Sequence, residues 1–457
     1  MSDGRPQESP APVRLTFRGL RLPHAITSNV LWNVVRWGVS QCASFAMNIV
    51  SARVLGREAF GAFGILQTSL QTFTQVAAFS TASTATKYVA EYRQTDPQRA
   101  GRVVRLCGLL VLASGLFVGG SVVLLAKPIA SSVLRAPQLS AQVALLGVGA
   151  FFTVSLLYHG GVLAGLHRFD LLAFVSLAIA PLFACGGAMC VFRFGLTGGV
   201  ASLVGNAILA WALTRWLAIR ETRRLGMFTR LQDSLQESSI IYRFALPGAI
   251  TSLTAMPAIW IASAALVRQP HGLGEMALFS AANNFRSMVL FLPGVLAGTA
   301  LPTLNDARGR RDSASFAATY WSTLKLTLGL TALAAILISL GGPILLPLYG
   351  KEFGLGAAAL VILMGTTVLE GVVGITTAAF QTTARMWTFL FAVVLPRDAT
   401  LILTAHLLTP TWGAVGLAAA YASGTTVAAA ALGVLTWRSR ILAVHCDLEI
   451  SEQGQTR

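Results

Sequence analysis

Six charged side chains interrupt the apolar runs of this sequence: Arg36, Arg286, Lys325, Glu370, Arg397 and Asp398. In a bilayer, one Arg or Lys at mid-depth costs about 3 kcal/mol on insertion scales. Four basic and two acidic groups facing lipid would be prohibitive, so they must face an aqueous cavity or one another. Their charges sum to +2, and a cavity that they shared would be cationic and would suit an anion. Arginine in particular grips phosphate through paired N–H donors. Arg36, Arg286, Lys325 and Arg397 are therefore candidate substrate-binding groups. Glu370 and Asp398 are candidate counter-ions or coupling carboxylates, because burial raises a carboxyl pKa. Asn33, Asn283 and Asn284 are candidate polar lining. Plainer roles compete with each of these. Arg36 and Lys325 can snorkel to headgroups, Arg397 and Asp398 can neutralise each other, and Asn48, Gln41 and the other amides in spans more often join helices than bind ligands.

These residues must be carried by membrane-spanning helices. The chain is 54% hydrophobic and only 11% charged over 457 residues, too few charges to clothe a water-soluble surface. Apolar runs long enough to span recur near 28–50, 62–86, 103–126, 140–165, 170–192 and 197–217, then near 242–267, 276–303, 317–345, 354–379, 386–408 and 412–437. Turn chemistry marks the breaks at 55–58, 136–137, 269–270, 349–351 and Thr409–Pro410. Pro247, Pro257, Pro293 and Pro396 lie inside spans and should kink them. The expected organisation is a cytoplasmic tail with a basic amphipathic segment (1–27), a six-helix bundle (28–217), a basic cytoplasmic linker (218–241), a second six-helix bundle (242–437) and a cytoplasmic tail (438–457). The linker arginines near 220–230 should meet anionic lipid headgroups.

Orientation follows from Lys and Arg, which collect in cytoplasmic loops. With the N-terminus inside, the cytoplasmic segments hold 23 of these residues and the outside loops seven. That asymmetry places both termini in the cytoplasm and requires an even number of spans. The halves also repeat weakly. Glu58 recurs as Glu275 and Arg168 as Arg385, 217 residues later, and Gly195 and Gly198 recur as Gly413 and Gly416, 218 later. Two same-facing bundles normally enclose a central site and work by alternating access.

Enzyme chemistry has no foothold here. There is no Walker loop, and the six histidines have no metal-ligand spacing. The five cysteines form no C-x-x-C pair and mostly lie in apolar runs. No outside loop is long enough for a catalytic platform. The expectation is a non-enzyme with no metal, no cofactor and no nucleic-acid partner, the net charge of +16 being a matter of loop location.

Residues 52–105 carry a resemblance. Ala52, Arg53, Leu55, Gly56, Phe60 and Gly61 precede the second span, and Ala90, Glu91, Tyr92 and Arg93 follow it. This pattern resembles the opening of Wzx-like polysaccharide biosynthesis proteins, the lipid-linked oligosaccharide flippases in the polysaccharide-transporter branch of the MOP (MATE-like) exporter superfamily. The resemblance implies an all-α integral membrane protein of the bacterial cytoplasmic (inner) membrane, with about 12 transmembrane helices in two six-helix bundles around a central cavity. It implies a flippase that moves undecaprenyl-pyrophosphate-linked oligosaccharide to the outer leaflet for O-antigen, capsule or exopolysaccharide. Membrane lipids are partners on this view, with a polysaccharide polymerase and chain-length machinery as candidate neighbours. Two alternatives stand beside it: a MATE-type multidrug cation exporter, and a membrane-embedded polymerase or glycosyltransferase. The first should hold acidic residues in its N-terminal bundle, whose spans here contain no Asp or Glu beyond Asp170 at a span's end. The second should carry a long outside loop.

Overall fold

The computed structural model describes residues 24–227, 237, 246–310, 312–382 and 386–438. The N-terminal amphipathic segment, Arg385 and most of the linker lie outside the described residues. Every extended element among those described is helical. The first half contains α1 (His24–Ala78), α2 (Thr81–Tyr92), α3 (Pro97–Leu124), α4 (Ser140–Gly165) and α5 (Phe169–Arg224). The second contains α6 (Leu246–Val267), α7 (Gly272–Gly309), α8 (Ser313–Leu345), α9 (Ala357–Gln381), α10 (Met386–Phe389) and α11 (Leu395–Arg438). Seven helices among the described residues are long and apolar enough to cross a membrane.

Three of the helices are hairpins. Each is broken by one glycine at positive φ: Gly56 (φ 76°), Gly195 (φ 57°) and Gly413 (φ 51°). In α1 the Gln67 amide donates to Asn48 Oδ1 at 3.3 Å. In α11 the Thr404 and Ser423 hydroxyls lie 3.0 Å apart. Both pairs are 19 residues apart, which a continuous helix would separate by about 28 Å, so the chain must double back at the glycine. The turn of α5 likewise brings Gly187 beside Ser202. Gly195 and Gly413 share nearly one conformation, with ψ −137° and −126°, as their 218-residue spacing suggested.

The last break is displaced from its expected place. Thr409–Pro410 remains helical and the turn falls at Gly413. Proline disfavours the helical state of the residue before it, yet only glycine tolerates the backbone angles of this turn without strain. The second predicted span also differs. Its helix begins directly after Gly56, breaks at Phe79 and Ser80 (φ 44° and 52°) and resumes as α2. Polar helix ends that leave the hydrocarbon are invisible to hydropathy. Ahead of Pro396, Leu390–Val394 forms a π turn; a proline has no N–H to give the ordinary ladder, and a wider turn absorbs that loss.

Gly413 permits a comparison. A Cβ there would lie 2.3 Å from Glu275 Oε2, whereas one at Gly195 would meet nothing within 4 Å. Gly195→Ala should therefore show only backbone strain, about 1–2 kcal/mol. Gly413→Ala should unfold at a clearly lower temperature than Gly195→Ala in detergent; equal melting temperatures would rule out the steric contribution.

The halves meet mainly through α1 against α6 and α7. Small residues allow the approach: a Cβ on Gly61 would lie 1.7 Å from the Leu273 carbonyl oxygen, and one on Gly64 would lie 2.2 Å from Ser280 Oγ. Tyr349, fully buried, closes the seam in an aromatic cluster with Phe45, Phe60, Phe285 and Phe353. This core is continuous across the halves near the loops at 53–57, 268–275 and 348–353. Toward the opposite loops the cores are separate: one around Val103, Tyr158 and Leu217 belongs to the first half, and one around Leu304, Tyr320 and Ile375 to the second.

Candidate functional site

Five of the six charged residues in spans line two separate cavities. In the second half, a cavity of about 380 Å³ is lined by Arg286 of α7, Glu370 of α9, and Arg397, Asp398 and Tyr421 of α11. Arg286 forms a close ion pair with Glu370. It also donates to Asn283 Oδ1 at 2.9 Å, one helical turn earlier, and its guanidinium carbon lies 5.1 Å from the Tyr421 ring centroid, a cation–π distance. Arg397 Nε donates to Asp398 Oδ1 at 2.8 Å. Adjacent helix positions point about 100° apart, but the long arginine side chain bridges that angle. Arg286 Nε and Glu370 Oε2 are buried without a hydrogen-bond partner among the described residues. The pair thus keeps one spare donor and one spare acceptor, a combination that suits hydroxyl-bearing ligands.

Arg36 lies elsewhere. It lines a cavity of about 590 Å³ within the first half, with Ser40 and Ser44 of α1, Phe183 and Asn206 of α5, and residues of α4. No Asp or Glu lies in that wall. Lys325 is exposed on α8 and borders neither cavity. Asn33 is half-buried and also lines neither. Asn284 donates to Tyr349 Oη at 3.3 Å and so joins helices, as Asn48 and Gln67 do.

The expectation of one shared cationic cavity is revised by these positions. The four charges of the second-half cavity pair two by two and sum to zero when all are ionised. In the first-half cavity Arg36 is a positive charge with no carboxylate in the wall. Hydropathy identified these residues as costly but could not tell which of them face each other. Tyr421 escaped the sequence reading because a tyrosine in an apolar run is usually ordinary packing.

A third arrangement links the halves where their core is continuous. Arg57 donates to Glu275 Oε1 at 3.0 Å and to the Gly274 carbonyl at 3.2 Å. Glu275 Oε2 accepts from the Ala414 backbone N–H at 2.8 Å, capping an otherwise orphaned amide at the start of the second limb of α11. Arg53 donates to the Leu348 carbonyl and Arg268 to that of Ser132. Glu275 stood out in the sequence only as the repeat of Glu58; nothing there showed that it bridges two halves.

Residues 26–307 match the model of the polysaccharide biosynthesis protein family. The chain belongs to this family. Among relatives of this polysaccharide biosynthesis protein is the EPS I polysaccharide export inner membrane protein EpsE of Ralstonia nicotianae. It is 26% identical over 361 residues, covering 76% of this chain and 79% of the relative. The namesake from Ralstonia solanacearum is 27% identical over 153 residues, covering 33% and 35%. Similar solved structures include an inward-facing multidrug resistance MATE family transporter of the MOP superfamily, with TM-score 0.73, 18% identity and coverage of 90% of this chain and 98% of that one. Another is a MOP superfamily transporter from Pyrococcus furiosus, with TM-score 0.66, 18% identity and coverage of 92% and 96%. The fold is therefore that of MOP superfamily transporters. This polysaccharide biosynthesis protein thus combines that fold with seven helices, among the described residues, long and apolar enough to cross a membrane.

Proposed function

We propose that the chain is a flippase that carries a polyprenyl-pyrophosphate-linked oligosaccharide, with undecaprenyl as the lipid, from the cytoplasmic to the outer leaflet by alternating access. The observation that carries this reading is Arg36, a cation in a roomy cavity whose wall holds no carboxylate. A pyrophosphate would satisfy that charge through bidentate hydrogen bonds. The neutral, doubly paired second-half cavity suits the sugars, which need donors and acceptors together. Transport needs no catalytic platform, which accords with the short loops.

On this reading each hairpin limb crosses the bilayer once, which makes twelve crossings, six per half, and the bias of Lys and Arg supports cytoplasmic termini. On that orientation the joined core and the Arg57–Glu275 contact lie at the outer face, and the separate cores lie at the cytoplasmic face. The cleft would then admit substrate from inside. The polyprenyl chain stays in lipid while the head crosses.

The test is complementation of a flippase-deficient strain. Arg36→Ala should lose surface glycan by at least tenfold, since a charge-assisted contact is worth about 1.5–3 kcal/mol, and Arg36→Lys should recover only part because it lacks the planar fork. Normal glycan from Arg36→Ala at equal expression would sink the assignment of Arg36. The carboxylates Glu370 and Asp398 are what a multidrug cation exporter would need, but each is held by an arginine. Drug efflux with no glycan phenotype would favour that reading.

A further inference from the structure

The roomiest of the described cavities is neither of the two above. A groove of about 1060 Å³ runs between α3, α4 and the second limb of α5. Its charged wall is Arg102, Arg105, Arg215 and Arg223, and it contains no Asp or Glu. Only Arg102 has described carboxylate partners, Glu237 at 3.4 Å and Asp96 at 4.0 Å. Arg215 lies over the Trp211 ring at 5.5 Å, and the buried Trp211 Nε1 has no hydrogen-bond acceptor among the described residues. Three cations without a described carboxylate and an unmet donor thus line the groove.

One end is apolar. Along α3, Arg105, Leu109 and Leu112 fall on one stripe at helical spacing, with Phe151 of α4 opposite. Leu112, Leu116 and Phe117 are exposed and prolong that surface past the groove. Gly101 and Gly108 form part of the wall, where a Cβ would meet the Met227 backbone at 3.0 Å and the Tyr158 hydroxyl at 3.1 Å. From Arg105 to Leu112 the helix rises about 10 Å, so charge gives way to hydrocarbon within the depth of a headgroup region. A free ion has no use for the apolar end, and a soluble phosphorylated metabolite would leave it bare.

We infer that this groove is a binding site for the phosphate headgroup of a net-anionic lipid, with the head among Arg105, Arg215 and Arg223 and the chains along Leu109, Leu112 and Phe151. The site is distinct from the translocation cavities, and lipid bound there would brace the first half without being transported. Placing it in the cytoplasmic leaflet rests on the orientation proposed above; the binding itself does not.

The test uses the purified full chain in micelles of a neutral detergent. Its thermal unfolding and its retained lipid, by native mass spectrometry, are compared with added phosphatidylglycerol, phosphatidylcholine or inorganic phosphate. Phosphatidylglycerol should raise the melting temperature and remain bound in preference to phosphatidylcholine, and inorganic phosphate should do neither. Arg105→Ala with Arg215→Ala should weaken phosphatidylglycerol retention by roughly tenfold, while Arg220→Ala with Arg310→Ala, the same charge loss outside the groove, should not. Equal retention of the two lipids by the unaltered protein would overturn the inference. So would inorganic phosphate matching the lipid, or the two double variants behaving alike. The first comparison needs no variant to fold.

Discussion

Glu370→Gln should abolish glycan export and lower the stability of the second half by on the order of 3 kcal/mol. Arg286 and Glu370 are 16% and 18% exposed and pair with each other. A buried pair adds little net stability over a hydrophobic replacement, but removing one partner strands the other charge in a low-dielectric site. Asn283 still accepts from Arg286 in the variant, which holds the loss to the lower end of the usual range. The double variant Arg286→Met with Glu370→Met removes both charges and should regain most of the melting temperature. Export should stay lost in the double variant, because the spare donor and acceptor of the pair are gone. Wild-type export by the double variant would reduce the pair to a structural tie.

Glu275→Gln should shift the protein toward a state open at the Arg57 end. Glu275 holds two partners from different elements, Arg57 of α1 and the Ala414 N–H of α11. Arg57 and Glu275 are 24% and 29% exposed, so the ion pair itself is screened and worth roughly 1 kcal/mol or less. The charged cap on the amide adds about 1 kcal/mol more. Together these can move a two-state equilibrium by roughly tenfold or more. A cysteine placed at Ser280, which packs against Gly64 across the seam, reports the change in a background without the native cysteines. Its labelling by an impermeant maleimide from the outer side should rise several-fold in Glu275→Gln. Gly64→Leu, which forces the same seam apart sterically, should raise it as well. Labelling unchanged in both variants would show that this seam is not a gate.

Much of the architecture is legible along the chain because a bilayer imposes a one-dimensional rule. Apolar runs, loop arginines and turn residues are local properties, so the apolar runs, the weak repeat and the break at Gly56 can be read from residue order alone, whereas the last turn falls at Gly413 and not at Thr409–Pro410. The cost of buried charge likewise singles out Arg286, Glu370, Arg397 and Asp398 before any fold is known. Which of them meet is a different kind of fact. Arg286 and Glu370 are 84 residues apart, and Arg57 and Glu275 are 218 apart. Their pairing depends on how far each helix is rotated and on where close packing at Gly61 and Gly64 lets the halves approach. Lys325 shows the same limit from the other side: its depth suggested a lumen, yet the rotation of α8 leaves it exposed. Sequence determined that charge must be sheltered; tertiary packing decided that four of the six charges shelter one another and that Arg36 faces a cavity without a carboxylate.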